Sequence, residues 1–242
     1  MSIVYFVVAA IVGYLFGSLS SARLVVKLFA PDEDLSQTEV SVEGSDKKFK
    51  FKFISATTVS MHLGSRYGFM TMILDMFKII IPAMAMKYII SGEPYFLVTA
   101  AAGMMGHIWP IYYGFRGGRG LLAAYGGMFA VDWIGVFATF LMGMISGLVV
   151  LRDVLVAYLS GILFFIPWLW FRTHDINYVI YAIAVNIIMV IATIPEIRQW
   201  RKITKEDEKW KDPSSVLNET GMGRGIMNIA KLIGVMKKDE NR

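Results

Sequence analysis

Long apolar stretches at residues 3–22, 67–91, 95–113, 133–151, 153–171 and 176–195 alternate with short polar breaks, and a shorter apolar stretch covers about 120–131. Runs such as "GVFATFLMGMISGLVVL" and "INYVIYAIAVNIIMVIATI" approach the roughly 20 residues that carry a helix across a bilayer. The pattern predicts an all-α polytopic membrane protein. Two segments depart from it. "TEVSVEGSDKKFKFKFIS" alternates on both sides of Gly44-Ser45-Asp46, the pattern of a β-hairpin. Glu39 and Glu43 on one arm then face Lys48, Lys50 and Lys52 on the other. Phe49, Phe51 and Phe53 share the opposite face, placed to dip into the membrane surface. Near the C-terminus, "RGIMNIAKLIGVMKK" sets Ile226, Ile229, Ile233 and Met236 on one helical face with basic flanks. That is an amphipathic helix, and two positions fit it equally: on the inner leaflet against anionic lipid, or packed on the protein itself.

Charge decides the number of crossings. Seven basic residues lie between Arg23 and Arg66, eleven lie after Pro195, and the turn Ser91–Pro94 has none. Excess Lys and Arg mark cytoplasmic segments. Both basic segments fall inside only if 120–131 crosses as well, which gives seven transmembrane helices, the N-terminus outside and the C-terminus cytoplasmic. The chain divides into a membrane domain over 1–195, with a cytoplasmic hairpin insertion at 38–53, and a basic cytoplasmic tail over 196–242. The fourth span is short, about 20 Å for some 13 residues, a length suited to lining a cavity or a thinned region.

Composition adds exclusions. Hydrophobic residues make up 56% of the 242 and the net charge is +5. The positive-inside bias accounts for that charge, so no nucleic acid partner is implied. There is no cysteine, hence no disulfide or thiol chemistry. The first apolar stretch lacks a basic lead-in and a small-residue cleavage site, which predicts a retained helix and not a signal peptide. No zinc spacing, nucleophile elbow or nucleotide fingerprint is present, and no metal or cofactor is implied.

Candidate chemistry concentrates in "GHIWPIYYGFRGGRG". Gly117, Gly118 and Gly120 allow close backbone approach and let N–H groups converge on an anion. Arg116 and Arg119 add fork-shaped donors suited to phosphate, and a helix start follows directly. An ordinary basic turn is the equally weighted alternative. Asp75 and Lys78, three apart in "MTMILDMFKIII", share a helical face inside a span, where charge is costly. They either pair with each other or line a cavity or ion path. Ser18, Ser55, Thr57 and Thr58 are small polar residues near the inner surface; Ser18, beside Gly17, fits helix capping, tight helix packing or head-group contact. Ser160 is a lone intramembrane serine, and His107 ends the third span.

Three blocks carry a resemblance. "GYLFGSLSSARLVVKLF", "ISATTVSMHLGSRYGFMTMILDMFK" and "GHIWPIYYGFRGGRG" resemble, in order, motifs of the bacterial membrane-embedded glycerol-3-phosphate acyltransferases that use acyl phosphate as donor. The resemblance implies seven spans with an external N-terminus in the inner (plasma) membrane. It also implies a phosphate-holding loop with Arg119 where the family has a lysine, and Ser160 where it has a serine. The chain departs from the family pattern at several places: its Gly-Ser-Gly-Asn step is replaced by Lys50–Phe53, Ser55 stands for glycine, Thr58 for asparagine and Met61 for arginine. The family's last motif, with a histidine and an asparagine just after the final helix, reads "IPEIRQWRKI" here, where Arg198 and Arg201 supply charge.

The function so implied is transfer of an acyl chain from acyl phosphate to glycerol 3-phosphate, or a related polyol phosphate, in phospholipid synthesis by a monomer among anionic membrane lipids. No general base stands out. Two alternatives stay open: a member of the family that binds a phospholipid head group or partner without turnover, and a transporter using Asp75 and Lys78.

Overall fold

A computed structural model describes residues 2–33, 35, 38–41, 46, 48–50, 54–151, 156 and 159–207. The amphipathic segment at 226–236, Phe51, Phe53 and most of the hairpin turn lie outside them. Helix α1 (Ile3–Gly17) leads into the short α2 (Ser21–Phe29), and strands β1 (Glu39–Ser41) and β2 (Lys48–Lys50) follow. Then come α3 (Ala56–Leu63), α4 (Ser65–Ile89), α5 (Tyr95–Ile108), α6 (Leu121–Val131) and α7 (Trp133–Met144), the last extended by a π-helical stretch over Ile145–Leu151. A tight turn at Ser160–Ile162 precedes α8 (Phe165–Thr173), and α9 (Ile176–Glu206) closes the described chain.

Four helical stretches are long and apolar enough to cross a membrane by length and composition: Ile3–Phe29, Ser65–Ile89, Trp133–Leu151 and Ile176–Ile203. Large apolar side chains stay outward-facing on them, such as Phe137 at 63% and Ile180 at 57% exposure. A surface of that kind is stable only against lipid or a partner. Helices suit such a setting, because they satisfy most backbone polar groups internally.

Close backbone packing fixes the arrangement. α1 and α5 run parallel. A Cβ on Gly13 would fall on the Thr99 carbonyl, one on Gly17 on the Gly103 carbonyl, and one on Gly106 on the Tyr14 carbonyl. Only glycine permits this approach, a packing mode that serves helices in lipid where apolar burial alone gives no drive. Tyr14 closes the pairing by donating to the Trp109 carbonyl at 2.7 Å. α4 runs against both, with Lys78 reaching the Leu19 carbonyl at the end of α1. α6 lies along α4: Gly126 rests on Met76, and Lys87 Nζ donates to the Ala130 carbonyl at 3.1 Å. α7 and the 160–173 segment are antiparallel, joined where Gly143 meets Gly161 and where Gly135 meets Trp168. α9 returns alongside, its Asn186 donating to the Ile162 carbonyl at 3.1 Å. The core between them is apolar, centred on Ile79, Met104, Met128, Phe165 and Leu169, all fully buried.

Asp132, between α6 and α7, caps α7 by accepting from Ile134 N–H, and accepts also from Trp168 (2.9 Å) and Arg172 (3.0 Å) on α8. Burial opposes its charge, but those hydrogen bonds outweigh burial and hold the carboxyl below its usual range.

Two expectations change, the boundary at 195 and the facing of Phe49. The boundary drawn at 195 falls inside α9, which continues through Pro195 to Glu206. The strands pair with Glu39 opposite Lys50 and Ser41 opposite Lys48, and Glu39 binds Lys50 at 2.8 Å and Lys48 at 3.1 Å. Those hydrogen bonds, Lys50's first, lower the Glu39 pKa. Phe49, however, is 4% exposed and turned inward, because β2 lies beside α9 and offers it cover there. It does not face a membrane surface.

Candidate functional site

The glycine-arginine loop is built by the end of α5. Pro110 has no N–H to continue the helix and biases Trp109 away from helical geometry, so α5 stops at Ile108. A single tight turn over Ile111–Tyr113 and two left-handed residues, Gly114 and Phe115, then reverse the chain. Phe115 N–H donates to the Pro110 carbonyl (3.0 Å), Gly117 N–H to Ile108 (3.1 Å) and Gly118 N–H to His107 (3.0 Å). The loop therefore lies folded back on α5. This corrects one expectation: the N–H groups of Gly117 and Gly118 are bonded to α5 carbonyls and do not converge on an anion. These residues are glycine for a different reason. A Cβ on Gly117 would fall on the His107 carbonyl and 2.6 Å from Pro110 Cδ, and one on Gly118 would fall on the His107 ring. Gly120, at φ +90°, then starts α6.

In front of the loop is a cleft of about 680 Å³. Its charged lining is Lys48, Lys50, Arg116, Arg119, Arg198, Lys202 and Glu206, so cations outnumber carboxylates there six to one. Ile108, Trp109, Phe115, Ala192 and Pro195 form an apolar wall beside them. The cleft thus joins loop, hairpin and the far end of α9. Arg116 is exposed and Arg119 half-buried. Arg23 stacks on Tyr113, 4.7 Å from the ring centre, which ties α2 to the turn that precedes the loop.

Behind the loop is a narrow polar recess lined by Ser18, Ser20, Asp75, Lys78, His107, Gly117 and Gly118, among others. Asp75 Oδ1 lies 2.9 Å from Lys78 Nζ and 3.5 Å from His107 Nδ1, with all three side chains under 10% exposed. Lys78 also donates to the Leu19 carbonyl at 2.6 Å. Of the two readings of Asp75 and Lys78, the geometry thus supplies a direct pair, with a small polar recess beside it.

The remaining sequence candidates divide. Ser18 reaches the recess, but its hydroxyl donates to the Tyr14 carbonyl at 2.7 Å. Ser55 and Thr58 are spent on a reciprocal cap at the start of α3: Ser55 accepts from Thr58 N–H, and Thr58 Oγ1 accepts from Ser55 N–H at 2.8 Å. They and Thr57 line neither cavity. Ser160 also lines neither; it donates to the Gly143 carbonyl at 3.2 Å and lies 3.1 Å from the Ser146 hydroxyl, where α7 meets the turn before α8. The "IPEIRQWRKI" stretch lies within α9, not after it, and Arg198, Gln199 and Lys202 face the cleft from there. Lys48, Lys50 and Lys202 were missed as cleft residues. Arg198 and Lys202 are one helical turn apart, and that spacing was the available signal.

Comparison with known proteins follows the same outline. The sequence profile described as glycerol-3-phosphate acyltransferase matches residues 7–203. A glycerol-3-phosphate acyltransferase of Legionella pneumophila (strain Lens) is 36% identical over 132 residues, covering 54% of this chain and 43% of that protein. The chain thus spans less than half the length of the Legionella relatives that it matches. One of Mycoplasma mycoides subsp. mycoides is 26% identical over 203 residues, covering 73% of each. The solved structure of PlsY, an integral membrane glycerol 3-phosphate acyltransferase, in its glycerol 3-phosphate form shares the fold with a TM-score of 0.64. It is 24% identical to this chain, over 81% of it and 92% of PlsY.

Proposed function

The chain belongs to the glycerol-3-phosphate acyltransferase family, and we propose that it transfers an acyl chain from acyl phosphate to glycerol 3-phosphate at the cationic cleft, within phospholipid synthesis. One observation carries this reading: cations and an apolar wall share a single cleft beside the glycine-arginine loop. Six cationic side chains suit two phosphate-bearing substrates held together, and Arg forks suit phosphate oxygens. The wall of Ile108, Trp109, Ala192 and Pro195 gives an acyl chain an apolar approach. The glycerol hydroxyl oxygen attacks the acyl carbonyl, the bond from that carbon to the phosphate oxygen breaks, and the hydroxyl proton leaves with inorganic phosphate. Holding two substrates in line is worth a large part of the barrier to such a step. Arg119 and Arg116 hold anionic oxygens, with Arg198, Lys202, Lys48 and Lys50 around them.

The alternating directions of α1, α4, α5, α6, α7, α8 and α9 support seven spans, with the N-terminus outside and the cleft and hairpin cytoplasmic. Glycerol 3-phosphate then enters from the cytoplasm and the acyl chain from the inner membrane. The second reading is binding without turnover. It is favoured by Ser55 and Thr58, whose hydroxyls are committed to capping α3 and face no cleft.

The deciding experiment uses the purified full-length protein in detergent with palmitoyl phosphate and glycerol 3-phosphate. Lysophosphatidic acid should form with one inorganic phosphate released per product. Glycerol 3-phosphate binding without product would favour the second reading, and neither binding nor product would remove both.

A further inference from the structure

We infer that His107 is a positioning residue: backed by the Asp75–Lys78 pair, its ring sets how far Gly117 and Gly118 stand into the cationic cleft, and so where a substrate phosphate is seated. The inference deepens the acyltransfer reading and rests on it.

A continuous series of contacts leads to the loop through the recess behind it. The Leu19 carbonyl, just past the end of α1, accepts from Lys78 at 2.6 Å. Lys78 pairs with Asp75 at 2.9 Å, and Asp75 stands 3.5 Å from His107 Nδ1. The far edge of the His107 ring meets Gly118 so closely that a Cβ there would overlap Nε2 and lie 2.8 Å from Cε1. The same residue grips the loop a second time, since its carbonyl accepts the Gly118 N–H at 3.0 Å. Gly117 and Gly118 line both the recess behind and the cleft in front, so they form a wall one backbone thick between the two. The ring supports that wall from the recess side, while the cleft side is open space.

A buried ion pair of this kind adds little net stability against an apolar equivalent of the same shape. Its effect here is to hold the Asp75 carboxylate 3.5 Å from Nδ1, which itself makes no hydrogen bond, so that the ring is backed by a fixed group. His107 does not line the cleft, and Gly118 covers its Nε2. The ring therefore acts through the loop and not on the reacting atoms.

The contact allows a test by compensation. The variants are Gly118→Ala, His107→Ala and the two combined, in the purified full-length protein. Turnover is measured with palmitoyl phosphate and glycerol 3-phosphate, and affinity for glycerol 3-phosphate by calorimetry. Gly118→Ala should raise KM for glycerol 3-phosphate by about 10- to 100-fold, with a much smaller change in kcat. His107→Ala alone should raise KM several-fold. In the combined variant the methyl enters the vacated space, so KM should fall back to within about 3-fold of His107→Ala. Losses that multiply overturn the inference, as does a fall in kcat at unchanged KM. If Gly118→Ala alone does not fold, the combined variant against His107→Ala carries the comparison, and a KM roughly 10-fold higher in the combined variant overturns the idea. Parent protein that neither binds nor turns over overturns the functional reading first. A parent that works, with multiplying losses, overturns only the role of His107.

Discussion

Lys78 Nζ sits 2.9 Å from Asp75 Oδ1 in a site where both side chains are more than nine-tenths buried. Removing one partner strands the other. Lys78→Leu should cost about 3–5 kcal/mol, whereas Asp75→Leu with Lys78→Leu should be clearly milder. Thermal unfolding of the purified variants in detergent measures the difference. A single variant more stable than the double would show that the two charges do not depend on each other.

Asp132 ties α7 to α8 through Trp168 and Arg172. Its carboxyl titrates lower in the folded protein than in the unfolded chain. The stabilisation it supplies is therefore complete above the ordinary carboxylate range and is lost as pH falls through that range toward the depressed folded value. Asp132→Asn should lower Tm at neutral pH, and its gap to the parent should shrink steadily on acidification below about pH 4. A gap that widens with acid would contradict the assignment.

Arg119 is half-buried beside the loop, and Arg116 is exposed. Arg119→Ala should weaken glycerol 3-phosphate binding by about 10-fold or more, a typical loss for a charge-assisted contact. Arg119→Lys should fall between it and the parent, since charge is kept and the fork is lost. Arg116→Ala should have the smaller effect of the two alanine variants. Calorimetry on the three variants settles the order.

The hairpin lysines reach the same cleft while sharing Glu39. Replacing both Lys48 and Lys50 with Ala should raise KM for glycerol 3-phosphate a few-fold and reduce its dependence on salt, because exposed charges act through a screened field. Glu39→Gln should shift KM the other way by releasing both lysines. KM measured at two ionic strengths for each variant checks both statements.

The apolar stretches were legible because lipid imposes a simple rule on composition. The stretch near 120–131 anticipated α6 at Leu121–Val131 almost to the residue, and the alternation around Gly44 put Glu39 on the arm across from Lys48 and Lys50, though not in a defined register. The cleft was not legible as a whole. Lys48 and Lys202 are far apart in sequence, and only the path of α9 beside β2 brings them together. The loop was misread in detail, since glycine spacing cannot show where the carbonyls of His107 and Ile108 point. Ser55 and Thr58 looked like ligands because a hydroxyl that caps a helix and one that binds a head group have the same sequence signature.

Gly13 and Gly17 give α1 a face that fits only the backbone of α5, yet Tyr14 lies 95 residues ahead of its partner Trp109. At a synthesis rate of about 5–20 residues per second, α1 leaves the ribosome roughly 5–20 s before that partner exists. During this interval its glycine groove faces lipid tails, or a chaperone, instead of protein. α1 thus waits for the helix that completes it, and α4 is threaded in between. The order of manufacture therefore matters as much as the contacts: a pause or an error before Trp109 would leave a helix already in place with nothing to hold.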